Sequence, residues 1–181
     1  MRRVLLALTT ALLVACTHEP SAPSEPAEVF RDTAAQIASQ TDVTGERMAG
    51  DWFIRQRFAA PRTPLSGMSL GVLPNEALQM SILGRECIDD VCFEDETLIL
   101  LDKTGPGRWT ARGPQTGLPD GELWVMWMEF DSRTVAIGTP SGAFGWIMDK
   151  NPTGGGDRIT AARDIMDWFG YNVSRLEEVD R

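Results

Sequence analysis

An antiparallel up-and-down β-barrel of eight strands with one helix on its outside is predicted by three observations. From residue 50 onward, short apolar segments are separated by Gly, Pro, Asn and Asp turn chemistry. The connections are mostly too short for anything but hairpins, so neighbouring strands run antiparallel. A single stretch of helical period then follows the last segment. A chain of 181 residues that is 43% apolar suits one domain with its own core.

The predicted strands cover 50–58, 65–73, 77–87, 92–103, 107–113, 121–130, 133–139 and 143–150. Their connections are Pro74-Asn75-Glu76, Ile88-Asp89-Asp90-Val91, Thr104-Gly105-Pro106, a longer loop over 115–120, Asp131-Ser132 and Pro140-Ser141-Gly142. Such a meander closes naturally into a barrel, which removes its exposed edges. For the helix, Asp157 is the N-cap candidate after Gly154-Gly155-Gly156, which reads as a flexible connector because no phosphate-loop fingerprint surrounds it. Ile159, Ala162, Ile165, Met166 and Phe169 form an apolar stripe that would pack on the barrel, and Gly170 ends the helix.

The N-terminus carries different information. Met1-Arg2-Arg3 and the apolar run up to Ala15 form a secretory signal over 1–15. Leu13-Val14-Ala15-Cys16 resembles the bacterial lipobox, which implies that the chain is cut before Cys16 and that this cysteine is acylated, palmitate being a typical chain. Two or more acyl chains anchor stably where one does not. Thr17 rather than Asp after that cysteine implies the outer membrane, with the domain facing the periplasm. Residues 16–40 read as a lipidated tether and linker, Pro/Ser-rich over 19–28, and residues 41–181 as the barrel with its helix. The only histidine, His18, falls in the tether and is assigned no role.

Composition excludes several functions. A net charge of −9 argues against a nucleic-acid partner, which requires a basic footprint on phosphates. One histidine cannot build a multi-histidine metal site or readily supply a catalytic triad. Acidic clusters at Asp89-Asp90 and Glu94-Asp95-Glu96 lie beside a hairpin tip, where solvated charges are ordinary. No enzyme activity, catalytic residue, metal or cofactor is therefore assigned.

Two blocks carry a family resemblance. Gly50-Asp51-Trp52 resembles the Gly-x-Trp block of lipocalins, and residues 42–49 before it resemble the helical turn that closes their barrel base. Trp146-Ile147-Met148-Asp149-Lys150-Asn151-Pro152, a helix, and Gly170-Tyr171-Asn172-Val173-Ser174-Arg175 resemble the C-terminal portion of bacterial outer-membrane lipocalins. The resemblance spans roughly 41–179 and is weak in the middle. It departs from the family at Lys150, where an arginine is usual, and at Met128-Glu129-Phe130-Asp131, where Thr-Asp-Tyr is usual. The first change still allows a cation over Trp52 at the barrel base; the second puts the hydrogen bonds at that base in question.

An eight-stranded barrel either is filled by its own side chains or holds one small ligand. Alternation from Trp52 places Ile54, Gln56 and Phe58 inside, and alternation back from Lys150 places Met148, Trp146 and Phe144 inside. Met68, Leu70, Val72, Leu78, Met80, Ile82 and Trp109 complete the expected lining. The strand over 121–130 is apolar on both faces; Trp124, Met126 and Met128 are taken as inward because Glu129 marks the other face. Leu123, Val125 and Trp127 are then left outside, under a loop or in a homodimer interface. A Trp, Phe and Met lining suits an apolar chain, and the family resemblance implies a fatty acid, lysophospholipid or similar hydrophobe, bound and transported without catalysis. The competing reading is a periplasmic protease inhibitor on a similar barrel, using the segment before it; residues 29–40, however, read as helical or docked.

Three cysteines divide as one plus two. Cys16 is the lipid attachment point, while Cys87 and Cys92 flank a hairpin loop on facing strands, within disulfide reach in an oxidising compartment.

Overall fold

The computed structural model describes residues 28–58, 65–88, 91–113 and 118–179. The predicted signal segment 1–15 and residues 16–27 of the tether, Cys16 and His18 among them, lie outside that set. A short helix α1 (Gly45–Met48) precedes eight antiparallel strands: β1 (Gly50–Phe58), β2 (Leu65–Val72), β3 (Leu78–Ile88), β4 (Val91–Gly105), β5 (Arg108–Ala111), β6 (Glu122–Met128), β7 (Thr134–Gly138) and β8 (Gly145–Asp149). Helix α2 (Gly156–Trp168) and a short strand β9 (Leu176–Glu178) follow. Each strand pairs with the next, and β1 pairs with both β2 and β8, so the eight strands close into a barrel.

Two register shifts decide which side chains face inward. On β1, Ile54 stands opposite Met148 but Gln56 stands opposite Ile147, so Arg55 is an extra residue. Beyond it the phase reverses: Trp52 and Ile54 belong to the interior cluster, whereas Phe58 belongs to a second cluster under α2. On β6, Val125 faces Ile137 and Trp127 faces Ala136, which makes Met126 the extra residue. The expected inward set on this strand is therefore corrected. Leu123, Val125 and Met128 are interior; Met126 is in the outer cluster, Trp127 packs against it, and Trp124 stays partly exposed. The outer face of β6 packs against α2.

The segment over 28–40 is docked without being helical. Gln40 donates its N–H to the Val125 carbonyl (2.8 Å), and its side-chain oxygen accepts the Met128 N–H (2.7 Å). These bonds occupy backbone groups on the edge of β6 beyond Trp124, where its pairing with β5 ends. At its other end Phe30 stacks on Phe58, which stacks on Tyr171, with ring centroids 4.9 and 5.4 Å apart. The Tyr171 hydroxyl donates to the carbonyls of Thr139 (2.9 Å) and Phe144 (3.1 Å), and burial pushes its pKa up to about 12. A Cβ at Gly138 would stand 2.2 Å from that hydroxyl, so only glycine fits there.

Helix α2 begins differently from the expectation. Gly155 is the N-cap, in the left-handed region at φ 68°, and Asp157 lies in the first turn. With Gly154 at φ 75°, the glycine run makes a defined turn rather than a loose connector. A Cβ on Gly155 would come within 2.4 Å of the Arg158 guanidinium, so the missing side chain gives Arg158 room to fold back toward the barrel. Arg158 then reaches the fully buried Asp149 at 2.9 Å and the Thr134 hydroxyl at 2.8 Å. Thr134 donates to the same carboxylate at 2.5 Å, and the Asn151 N–H donates to its other oxygen at 2.8 Å. Gly170, at φ 86°, ends the helix as expected. Strand β9, which the sequence did not indicate, pairs with Gln56, Arg57 and Phe58 on the part of β1 beyond its pairing with β2.

Burial alone would raise the Asp149 pKa, but the Thr134, Asn151 and Arg158 donors outweigh it and hold the carboxyl below the usual 3.8. A depressed folded-state pKa contributes stability above the unfolded value, and that contribution is lost as pH falls through the folded value. Asp149→Asn should cost about 2–4 kcal/mol at neutral pH. Denaturant titrations should also show it losing less stability than the parent as pH falls below about 4.

Candidate functional site

The inward side chains form one continuous apolar cluster. Trp52 and Ile54 from β1 meet Met68 and Leu70 from β2, Leu78, Met80 and Ile82 from β3, and Trp109 from β5; Phe144 precedes β8, which supplies Trp146 and Met148. These residues were all expected inside and are brought together. Phe58, Trp124 and Met126 were expected with them and are not, because the bulges at Arg55 and Met126 change the phase of their strands. Gln56 also faces outward, where Arg163 donates to its side-chain oxygen at 3.0 Å. Val72, expected in the lining, is 38% exposed.

The cluster gains Ile99, Leu101, Leu123, Val125, Val135 and Ile137, which were not picked out from the sequence. The first two follow the alternation of β4 and were legible; Leu123 and Val125 needed the position of the bulge. No member of the cluster exposes more than 3% of its surface. Five methionines take part: Met48, Met68, Met80, Met128 and Met148. Unbranched and rich in rotamers, they are the side chains best able to shift for a guest.

One end of the barrel is sealed by polar contacts around two indoles. The Lys150 ammonium lies 3.8 Å from the centre of the Trp52 ring and donates to the Ala49 carbonyl at 2.6 Å. Trp52 in turn donates its indole N–H to Met48 at 2.8 Å, tying α1 across the opening. Burial lowers the Lys150 pKa, and Asp51 opposes that shift. Trp109 donates to the Glu76 carbonyl at 2.8 Å; the Glu76 carboxylate accepts from Lys103 and from the Gly45 N–H at 3.0 Å. Those two donors, Lys103 first, hold the Glu76 carboxyl below its usual value.

The unusual middle block does not leave this end open. Arg47 of α1 donates to the carbonyls of Glu129 (3.1 Å) and Phe130 (3.3 Å) and to the Ser132 hydroxyl (2.9 Å). Glu129 lies past the end of β6 and pairs with Arg133 at 2.6 Å, so it never marked a face of that strand.

At the opposite end, Phe144 and Trp146 pack with ring centroids 5.1 Å apart, and Leu118 of the β5–β6 connection is buried against the cluster. Register places Cys87 directly opposite Cys92 and continues to Ile88 and Val91, so the pairing runs one residue past each cysteine; Asp89 and Asp90 lie outside the described residues. Val91 and Phe93 near its tip are 56% and 58% exposed.

Replacing Lys150 by Met keeps the chain length and removes the charge and the donor. The expected loss is about 1–3 kcal/mol, read as a lower denaturation midpoint by tryptophan emission, while Lys150→Arg should stay within about 1 kcal/mol of the parent.

No family model matches the sequence, and no curated protein matches it. Among solved structures, the fold is similar to the crystal structure of major allergens, Per a 4 from cockroaches. The TM-score is 0.60 at 9% identity, over 82% of this chain and 96% of that one. The likeness is one of architecture: this chain folds as a closed barrel of eight antiparallel strands with a C-terminal helix against them.

Proposed function

We propose that the protein binds and carries a small hydrophobic ligand, of the fatty acid or lysophospholipid class, while tethered by its N-terminus to the bacterial outer membrane on the periplasmic side. The observation that carries the binding reading is the interior: apolar throughout its buried cluster, closed by polar contacts at one end, and rich in methionine. Methionines on several facing strands give this interior side chains that can change rotamer to admit a guest. In this reading Met68, Met80, Met128 and Met148 change rotamer to make room, and the cost is offset by burial of the guest's apolar surface.

The anchoring rests on the N-terminal sequence alone, where the signal-like run ends in Leu13-Val14-Ala15-Cys16. A strongly acidic chain has no electrostatic attraction to anionic headgroups, so acyl chains on Cys16 would provide the attachment. Cys87 and Cys92, opposite each other in the ladder, would be joined as a disulfide in that compartment. The protease-inhibitor alternative needs a free N-terminal arm; residues 28–40 are instead tied along the barrel from Phe30 to Gln40.

Native mass spectrometry of the protein extracted from its own membrane tests both parts at once. The expected species begins at Cys16, carries acyl chains on it, and holds one hydrophobic molecule that leaves on activation. A chain that retains residues 1–15 or is unacylated would overturn the anchoring. Absence of any retained or rebound hydrophobe would overturn the binding.

A further inference from the structure

The register shift at Arg55 has a chemical consequence at the barrel mouth. On β1 the side chains of Gln56 and Phe58 face outward, toward Arg163 and the Phe30–Tyr171 stack respectively. Alternation therefore turns the residue between them, Arg57, to the interior face. Its ladder partner on β8 agrees, since Arg57 stands opposite Trp146, a member of the interior cluster. Arg57 is half-buried and lies five residues beyond Trp52 on the same strand. That separation is roughly 17 Å along the strand, and less along the barrel axis because strands tilt.

A guanidinium on the inner face of an apolar barrel is costly unless anionic or polar groups meet it. Arg57 already has a partner, which an incoming group would replace or share. Among the described residues, Lys103 and Lys150 also stand on the inward phase, but at the sealed end, where Glu76 and the Ala49 carbonyl hold them. On its other side Arg57 stands opposite Glu177 of β9, so the mouth is not uniformly positive and an incoming anion competes with that carboxylate. Any preference for negative charge must therefore come from Arg57.

Building on the proposed binding of a hydrophobe, we infer that Arg57 is the head-group subsite. The barrel then selects a single-chain amphiphile whose anionic oxygen head, carboxylate or phosphate, meets Arg57 while the tail runs toward Trp52. The planar fork of arginine suits both heads through paired N–H···O bonds. The span from Arg57 to Trp52 suits a medium-length alkyl tail, and Trp146 with Phe144 forms an aromatic wall beside the head.

Matched ligands separate this inference from the reading beneath it. Dodecanoate, dodecyl phosphate and dodecanol, each below its aggregation limit, are titrated against the parent, Arg57→Gln and Arg57→Lys. The parent should bind at least one anionic ligand about tenfold or more tightly than the alcohol. Arg57→Gln should abolish that preference with dodecanol affinity unchanged, which also shows that the variant is folded, and Arg57→Lys should restore part of it. The stronger of the two anions identifies the head chemistry. Equal binding of acid, phosphate and alcohol by the parent, or a preference that survives in Arg57→Gln, would overturn the subsite but leave hydrophobe binding standing. Failure of all three ligands to bind the parent would overturn both.

Discussion

The extra residue at Arg55 is the constraint on which the rest of the structure depends. Without it, one strand would present a single phase along its whole length. With it, β1 serves two layers: Trp52 and Ile54 face the interior near the sealed end, and Gln56 and Phe58 face the outer cluster near the mouth. Phe58 can then join Phe30 and Tyr171 in a stack that fixes both the N-terminal segment and the chain after α2 to the barrel wall. Strand β9 adds to the same stretch of β1, covering backbone that would otherwise be an unpaired edge. The bulge thus joins barrel, strap and C-terminal segment into one body.

The two ends of the barrel follow different physical rules. At the sealed end, each indole that faces the interior keeps its N–H paired, to Met48 for Trp52 and to Glu76 for Trp109, and a lysine lies close to each ring. Buried aromatic groups with satisfied polar tips make a stiff floor. Toward the mouth, the Tyr171 hydroxyl pins Thr139 and Phe144 from outside the barrel. A guest approaching from the mouth would meet the Phe144–Trp146 pair there before it reaches the polar floor.

Much of this was legible in the sequence. The eight strands and the helix follow from turn residues and periodicity, and β1 matches its expected bounds. Trp52, Ile54, Met80, Trp109, Phe144, Trp146 and Met148 lie where alternation puts them. The failures share one physical cause. A bulge inserts a residue without altering composition, so nothing in Trp124-Val125-Met126-Trp127, apolar at every position, reveals that the phase changes at Met126. Glu129 misled in a related way, because it belongs to the turn after β6 and its charge answers Arg133 rather than solvent beyond a strand face. Asp157 had the chemistry of an N-cap, but the cap went to Gly155, whose missing side chain makes room for Arg158 to reach buried Asp149.

The central claim is that the closed apolar interior opens to take a hydrophobic chain. Methionine-methyl NMR during titration with dodecanoate tests it most directly, since the residues are split between two clusters. The account predicts that Met68, Met80, Met128 and Met148, inside the barrel, shift together as ligand is added, while Met126 and Met166 beneath the helix change little. Shifts confined to Met126 and Met166, or none at all, would contradict it and mean that the barrel is a filled core.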